Sequence, residues 1–433
     1  MKNLKVIFTA LSLLPISTYA NVHKVDAKFK LGQSLFFDKV ISGNKNISCA
    51  TCHHPFTGSS DGLSLGSGEG AKGIGVTRDT GDGSSKIHAR IPRNAPALWN
   101  LGEEEYITFF HDGRVEKNEN YPSGFKSPQG KNLPEGMDSG LAVQALFPIT
   151  SSDEMAGQEG ENTIADQAKL GNIAGAGGVW EQVVERVANI SAYVEAFKEA
   201  YPEVSSSSDI NITHLGNAIA HYEANAFVAK DSPYDRYLKG ELSAMTPKQI
   251  KGMKLFNGKA NCMSCHSGLF QTDHSFHSIA MPQIGPGKGH GKSKLEDYGR
   301  EGVTNQKADR YKFRTPSLRN VALTAPYGHD GAYESLEAVI RHHLSSVNSI
   351  MSYKIESARL IDRSDLNQTD MLVMNNDLAV KKIILSNSIP EMNLNNDEID
   401  SLVQFMNALT DLSCLDMSRS VPRKVLSGMS IVE

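Results

Sequence analysis

Cysteine, positive charge and long apolar runs are all scarce in this chain of 433 residues, and each scarcity narrows what it can be. Lys and Arg number 44 against 49 Asp and Glu, a net charge of -5. That balance excludes a nucleic-acid-binding surface as a default and mildly suits a basic partner. The apolar run VIFTALSLLPIS near the start is too short to cross a bilayer, which takes about 20 residues. Lys2 and Lys5 precede it and TYA follows, ending at Ala20, so residues 1–20 read as a signal peptide. The expected product is an exported chain of residues 21–433, more negative by the two lysines lost and long enough for two domains. No run alternates apolar and polar residues for long enough to build a sheet, so the expected architecture is mainly α.

There are five cysteines. Four fall in CATCH at 49–53 and CMSCH at 262–266, leaving Cys414 alone. An exported protein ordinarily uses cysteine for disulfides, but this spacing points elsewhere. A Cys-x-x-Cys pair followed directly by His is the attachment pattern of a c-type haem. The two thiols add across the haem vinyl groups, and the adjacent His reaches the iron as an axial ligand. A redox Cys-x-x-Cys site needs no such His, and a zinc site needs more ligands nearby. The prediction is two covalently attached haems, on Cys49, Cys52 and His53 and on Cys262, Cys265 and His266.

The flanks of the two motifs repeat as well. KLGQSLFFDK precedes the first and IKGMKLFNGK the second, the latter with Thr246-Pro247 as helix N-cap and first turn. RNAPALWN and FFHDG follow the first; RTPSLRN and PYGHDG follow the second. The expected domains are 21–205 and 206–433, two cytochrome-c-like haem units packed together and joined by connecting helices. The segment 57–86, rich in Gly and Ser, is expected to be a passive surface loop or a mobile segment beside the first haem.

Function turns on the face of each haem opposite the motif His, since an open face permits peroxide chemistry and a filled one restricts the iron to electron transfer. In YESLEAVIRHHLSS, helical spacing puts Leu336, Val339, Ile340, His343 and Leu344 on one face and His342 well away from it. His343 is then either an iron ligand or a buried, hydrogen-bonded histidine.

Taken in order, LFFDKVISGNKNISCATCH, RNAPALWN, FFHDGR, AIAHYEANAFVAKDSPYDRYLKGE, MKLFNGKANCMSCHSG and FRTPSLRNVALTAPYGHDGAYESLEAV resemble the bacterial dihaem cytochrome c peroxidases and their MauG-type relatives. The resemblance covers nearly the whole exported chain. It implies a periplasmic enzyme whose first haem is the peroxide site and whose second receives electrons from a small cytochrome c or cupredoxin. Gln144 and the pair Glu154-Met155 match the family's distal residues, Glu154 as acid and base and Gln144 as a hydrogen-bonding group. His88 matches the loop histidine that closes the first haem in resting relatives. Asn94, Thr324 and Pro326 match the ligands of a calcium ion held between the halves. His111 stands where the family has a tryptophan between the haems, so electrons would pass through His111, through nearby Trp99, or by direct tunnelling with no side-chain relay. The distal ligand of the second haem, Met in the peroxidases and Tyr in MauG, falls on His343.

The resemblance therefore implies a peroxidase reducing hydrogen peroxide to water, with a MauG-type oxidation of a protein partner as the alternative and a dihaem electron carrier as the third reading. A homodimer is within the family's habit. Cys414 reads as a buried or unpaired thiol.

Overall fold

The structure, a computed structural model, describes residues 25–432; the expected signal peptide lies outside them. Helices carry the architecture, joined by long irregular segments. Among the described residues, strands are confined to a short antiparallel sheet of Thr108–Phe109, Val115–Lys117 and Phe125–Lys126 and a two-residue ladder of Phe276–His277 with Phe313–Arg314. No described helix is long and apolar enough to cross a membrane.

The repeat in the sequence reappears as two helix crossings. In the first, Ala27–Phe37 lies against Ile212–Ala226, and Gly32 makes the approach possible: a Cβ there would sit 1.8 Å from the Ala218 carbonyl oxygen. In the second, Pro247–Asn257 lies against Asn396–Ala408, and a Cβ on Gly252 would sit 1.9 Å from the Ser401 carbonyl oxygen. The two glycines occupy the same place in KLGQSLFF and IKGMKLFN. Each crossing anchors its own apolar core, the first around Phe36, Trp180 and Tyr222 and the second around Phe256, Leu402 and Phe405. Thr246 caps the Pro247–Asn257 helix as expected, accepting from Gln249 N–H at 3.3 Å.

The division of the chain is less simple than a cut at 205/206. Ile212–Ala226 lies past that point yet packs in the first core, because its apolar face is the partner of the Ala27–Phe37 helix. Residues 414–431 return to the same core through Met417, Val425 and flanking apolar residues. Tyr222 donates to the Ser420 carbonyl at 2.8 Å, and Leu426 N–H donates to Ser34 Oγ at 2.9 Å.

The segment 57–86 has no long regular element, but it is not a passive surface loop throughout. Residues 59–61 and 63–71 are buried, pinned between distant parts of the chain. Ser64 Oγ donates to the Gly331 carbonyl at 2.6 Å, and Ser64 N–H to Arg359 O at 2.9 Å. Gly68, at φ +63°, leaves no room for a Cβ against the Asp153 carbonyl, 1.9 Å away. Small residues are needed here for close backbone contact.

A buried ion cluster ties residues on either side of the first site. Arg93 makes a two-pronged contact with Asp297, at 2.7 and 2.9 Å, and reaches Asp112 at 2.6 Å. Burial alone would raise the Asp112 carboxyl, but Arg93 and Arg114 overcome it and hold it at about 2. Asp297 is likewise depressed, with Arg93 winning over burial. Carboxyls depressed in the folded state stabilise it fully above their unfolded value of about 4, and lose that contribution as pH falls through the folded value. Arg93→Leu is expected to cost about 3–5 kcal/mol by leaving two buried carboxylates unpaired. Urea titrations at neutral pH and near pH 3 should show the gap between wild type and variant shrinking in acid.

Candidate active site

The CATCH segment is a single helical turn, Cys49–Cys52, with the Ser48 backbone N–H donating to Thr51 Oγ1 at 3.0 Å. Ala50 and Thr51 are buried under it, while Cys49 and Cys52, three apart, both line one cavity. His53 N–H closes the turn onto Cys49 O at 3.0 Å, and His53 Nδ1 meets the Ser59 carbonyl at 2.9 Å. A carbonyl can only accept, so Nδ1 carries the proton and Nε2 keeps a free lone pair. Burial lowers the pKa of this ring and favours the neutral form a metal requires.

The cavity has a volume of about 130 Å³. Gln144 enters it from the short helix Gly140–Ala145, which starts on Ser139 Oγ. Its Oε1 is buried and has no hydrogen-bond partner among the described residues. Glu154 enters from a turn of π-helix, Ser152–Ala156, in which Ala156 N–H reaches back to Ser151 O at 2.9 Å. Such turns re-aim side chains and recur at functional sites. Burial raises the Glu154 carboxyl, with Arg114 and Lys288 opposing. Arg93, Arg114 and His111 line the same cavity.

CMSCH follows the same plan with a looser turn, Cys262–Ser264. His266 N–H donates to Cys262 O at 2.9 Å, and its Nδ1 donates to the Gln271 carbonyl at 3.0 Å, again freeing Nε2. Facing it is His343, whose Nδ1 donates to Val339 O at 2.8 Å. The two ring centroids are 6.4 Å apart. Two imidazoles on opposite sides of one iron stand about 6 Å apart, from two metal–nitrogen bonds of about 2 Å plus half of each ring. His342 has both ring nitrogens engaged, with Tyr333 OH at 3.0 Å and the Ile279 carbonyl at 2.8 Å. Paired thiols, a histidine with one oriented lone pair and enclosing walls fit a c-type haem at the first motif. The thiols and the facing histidine pair fit one at the second.

The sequence matches the di-haem cytochrome c peroxidase family over residues 26–243. The chain belongs to this family. It is 33% identical over 317 residues to the methylamine utilization protein MauG of Methylorubrum extorquens, covering 73% of this chain and 68% of that one. It is 31% identical over 314 residues to the cytochrome c551 peroxidase of Pseudomonas aeruginosa, covering 72% and 70%. Among solved structures, a MauG-like protein associated with microbial copper homeostasis superimposes with a TM-score of 0.59 at 25% identity, over 96% of this chain and 99% of that one. Membership makes this a haem-dependent oxidoreductase with two haems.

In this member of the di-haem peroxidase family, His111 and Asn94 line the first cavity, whereas His88 and Trp99 do not. His88 is exposed and does not line the first cavity; its neighbour Ile87 is buried against Ala71 and Leu366 and holds that end of the loop away. His111 does line the cavity, with Nε2 donating to Asn94 O at 3.0 Å, and its carbonyl accepts from Arg314 N–H at 2.8 Å. Burial and then Arg93 lower His111 to about 4. Trp99 sits in the apolar core against Phe227, its Nε1 donating to Gly58 O at 2.9 Å, and does not line the cavity. Asn94 lines the cavity and is tied by its backbone N–H to His329 O at 2.9 Å, close in sequence to Pro326. The carbonyls of Thr324 and Pro326 accept no hydrogen bond among the described residues. Cys414 is a buried thiol, contacting Val228 O at 3.3 Å.

Two buried acids in the first cavity escape sequence reading, Asp61 and Glu223. Burial pushes Glu223 up to about 8. A lone acid on the apolar face of AIAHYEANAF was the available signal; Asp61, in a Gly- and Ser-rich run, offered none.

Proposed function

We propose that this protein is an exported, periplasmic dihaem peroxidase that reduces hydrogen peroxide to water with electrons from a small cytochrome c or cupredoxin. The observation that carries this reading is Glu154, a half-buried carboxyl with a raised pKa, in one cavity with His53 and an unpartnered Gln144. Cys49 and Cys52 would attach one haem with His53 on its iron, and Cys262 and Cys265 the other between His266 and His343. When bound, the haems supply the redox chemistry, accepting electrons at the second site and delivering them to peroxide at the first. The chain's part is proton management and orientation. Gln144 holds peroxide through its amide without adding charge. Glu154 takes a proton from one peroxide oxygen and returns it to the oxygen that leaves as water, which a carboxyl of raised pKa can do near neutrality. Arg114, whose contacts with Asp112 are longer than those of Arg93, is the cation best placed for the acidic edge of a haem. Calcium would be held by the Asn94 side chain with the Thr324 and Pro326 carbonyls. His111, which bonds to both Asn94 and Arg314, is the inter-haem group.

A second reading, MauG-type oxidation of a protein partner, is favoured by the His266–His343 pair. Two-histidine ligation lowers a haem potential relative to histidine and methionine, making ordinary donors less effective. A peroxide assay with reduced cytochrome c or cupredoxin, recorded with the haem spectrum, separates the two. Catalytic donor oxidation supports the peroxidase. A long-lived oxidised state with negligible donor turnover supports the MauG-type enzyme.

A further inference from the structure

We propose that Asp61 relays protons between the protein surface and the first cavity. The proposal rests on the peroxidase reading, in which each peroxide reduced to two waters consumes two electrons from the reduced donor and two protons from solvent.

An outer pocket of about 340 Å³ opens between residues 55–62 and the Ala322–Leu323–Ala325 stretch, with Arg359 and Cys414 at its sides. The first cavity shares a lining residue with it. Among the described residues, Asp61 is the one residue that lines both. Its Oδ1 accepts from Leu63 N–H at 3.0 Å, while Oδ2 is buried with no hydrogen-bond partner among the described residues. An ionised carboxylate with one oxygen unsatisfied is poorly placed as a purely structural group.

The charges around it do not neutralise it. Arg78 acts on it from a distance, its guanidinium committed to the Gly68 and Gly73 carbonyls at 2.7 and 3.0 Å. On the outer side Arg359 reaches Gly62 O at 3.2 Å and is paired with Glu334. Burial pushes the Asp61 carboxyl up to about 6, against the Leu63 N–H and Arg78, so both protonation states are reachable near neutrality. Relay then needs no net change. The Asp61 O–H passes its proton into the cavity that holds Glu154, and the carboxylate is reprotonated from the outer pocket. Glu154 exchanges a proton with peroxide itself, whereas Asp61 replaces those that turnover consumes.

Asn in place of Asp61 keeps the acceptor for Leu63 N–H but cannot cycle a proton. The test mixes the donor-reduced dihaem protein with hydrogen peroxide in weak buffer containing a pH-indicator dye, in a stopped-flow instrument. Wild type is expected to take up two protons per peroxide. Asp61→Asn should slow proton uptake about tenfold or more, with both haems attached and cyanide affinity at the ferric first haem unchanged; Asp61→Glu should restore much of the rate. Proton uptake at the wild-type rate in Asp61→Asn overturns the relay and leaves the peroxidase reading standing. Wild type that consumes no protons with peroxide overturns the reading and the relay together.

Discussion

Glu154→Gln is expected to lower peroxide turnover by about 10²–10⁴-fold, the range a positioned acid–base group contributes. The substitution keeps the size and polarity of the side chain, so the cavity it shares with Gln144 and His53 should survive. Haem content, read from the pyridine haemochrome spectrum, should equal that of wild type. What is lost is the capacity to take a proton at one peroxide oxygen and return it at the other. The raised pKa of Glu154 matters here, because burial narrows the gap between the carboxyl and the groups it must serve. Peroxide should still bind, so the spectral change on mixing remains while its decay slows. Full turnover in this variant would remove Glu154 from the chemistry.

The second large effect belongs to the other haem. His343→Met should raise its midpoint potential by on the order of 100 mV or more, since axial ligand identity moves haem potentials over hundreds of millivolts. His343 is held for this role by its Nδ1 contact to Val339 O and by the 6.4 Å spacing to His266. The variant should also accept electrons more readily from a high-potential cytochrome, bringing donor oxidation closer to that of a His/Met peroxidase. Spectroelectrochemical titration of both haems in one sample gives the readout, with the first haem as internal control. A second-haem potential that stays put would mean that His343 is not on the iron.

How far the site could be read in the sequence depended on whether each role is fixed locally. Cys49, Cys52 and His53 sit within one helical turn, so the pattern that proposes haem attachment is visible in their spacing alone. The start of the Pro247–Asn257 helix was visible for the same reason, through Thr246-Pro247. His342 and His343 are adjacent, and helical geometry separated them correctly onto different faces; the partners of His342, Tyr333 and Ile279, were invisible because one of them is far away in the chain. Asp61 was lost altogether. Its importance lies in facing two cavities whose walls come from several separate segments, and nothing in SSDGL encodes that. The expectation of a passive surface loop or a mobile segment at 57–86 missed the burial of 59–61 and 63–71 for a similar reason: Gly and Ser signal the absence of regular structure, which is compatible with burial wherever backbones must touch.

The return of residues 414–431 to the first core has a consequence for biogenesis. Translation delivers the chain from its N-terminus, so domains ordinarily mature in the order they are made. Here the second core, around residues 245–409, is complete before residues 414–431 exist, whereas the first still lacks the stretch that covers Tyr222 and Ser34. The half carrying CATCH is thus synthesised first and finished second.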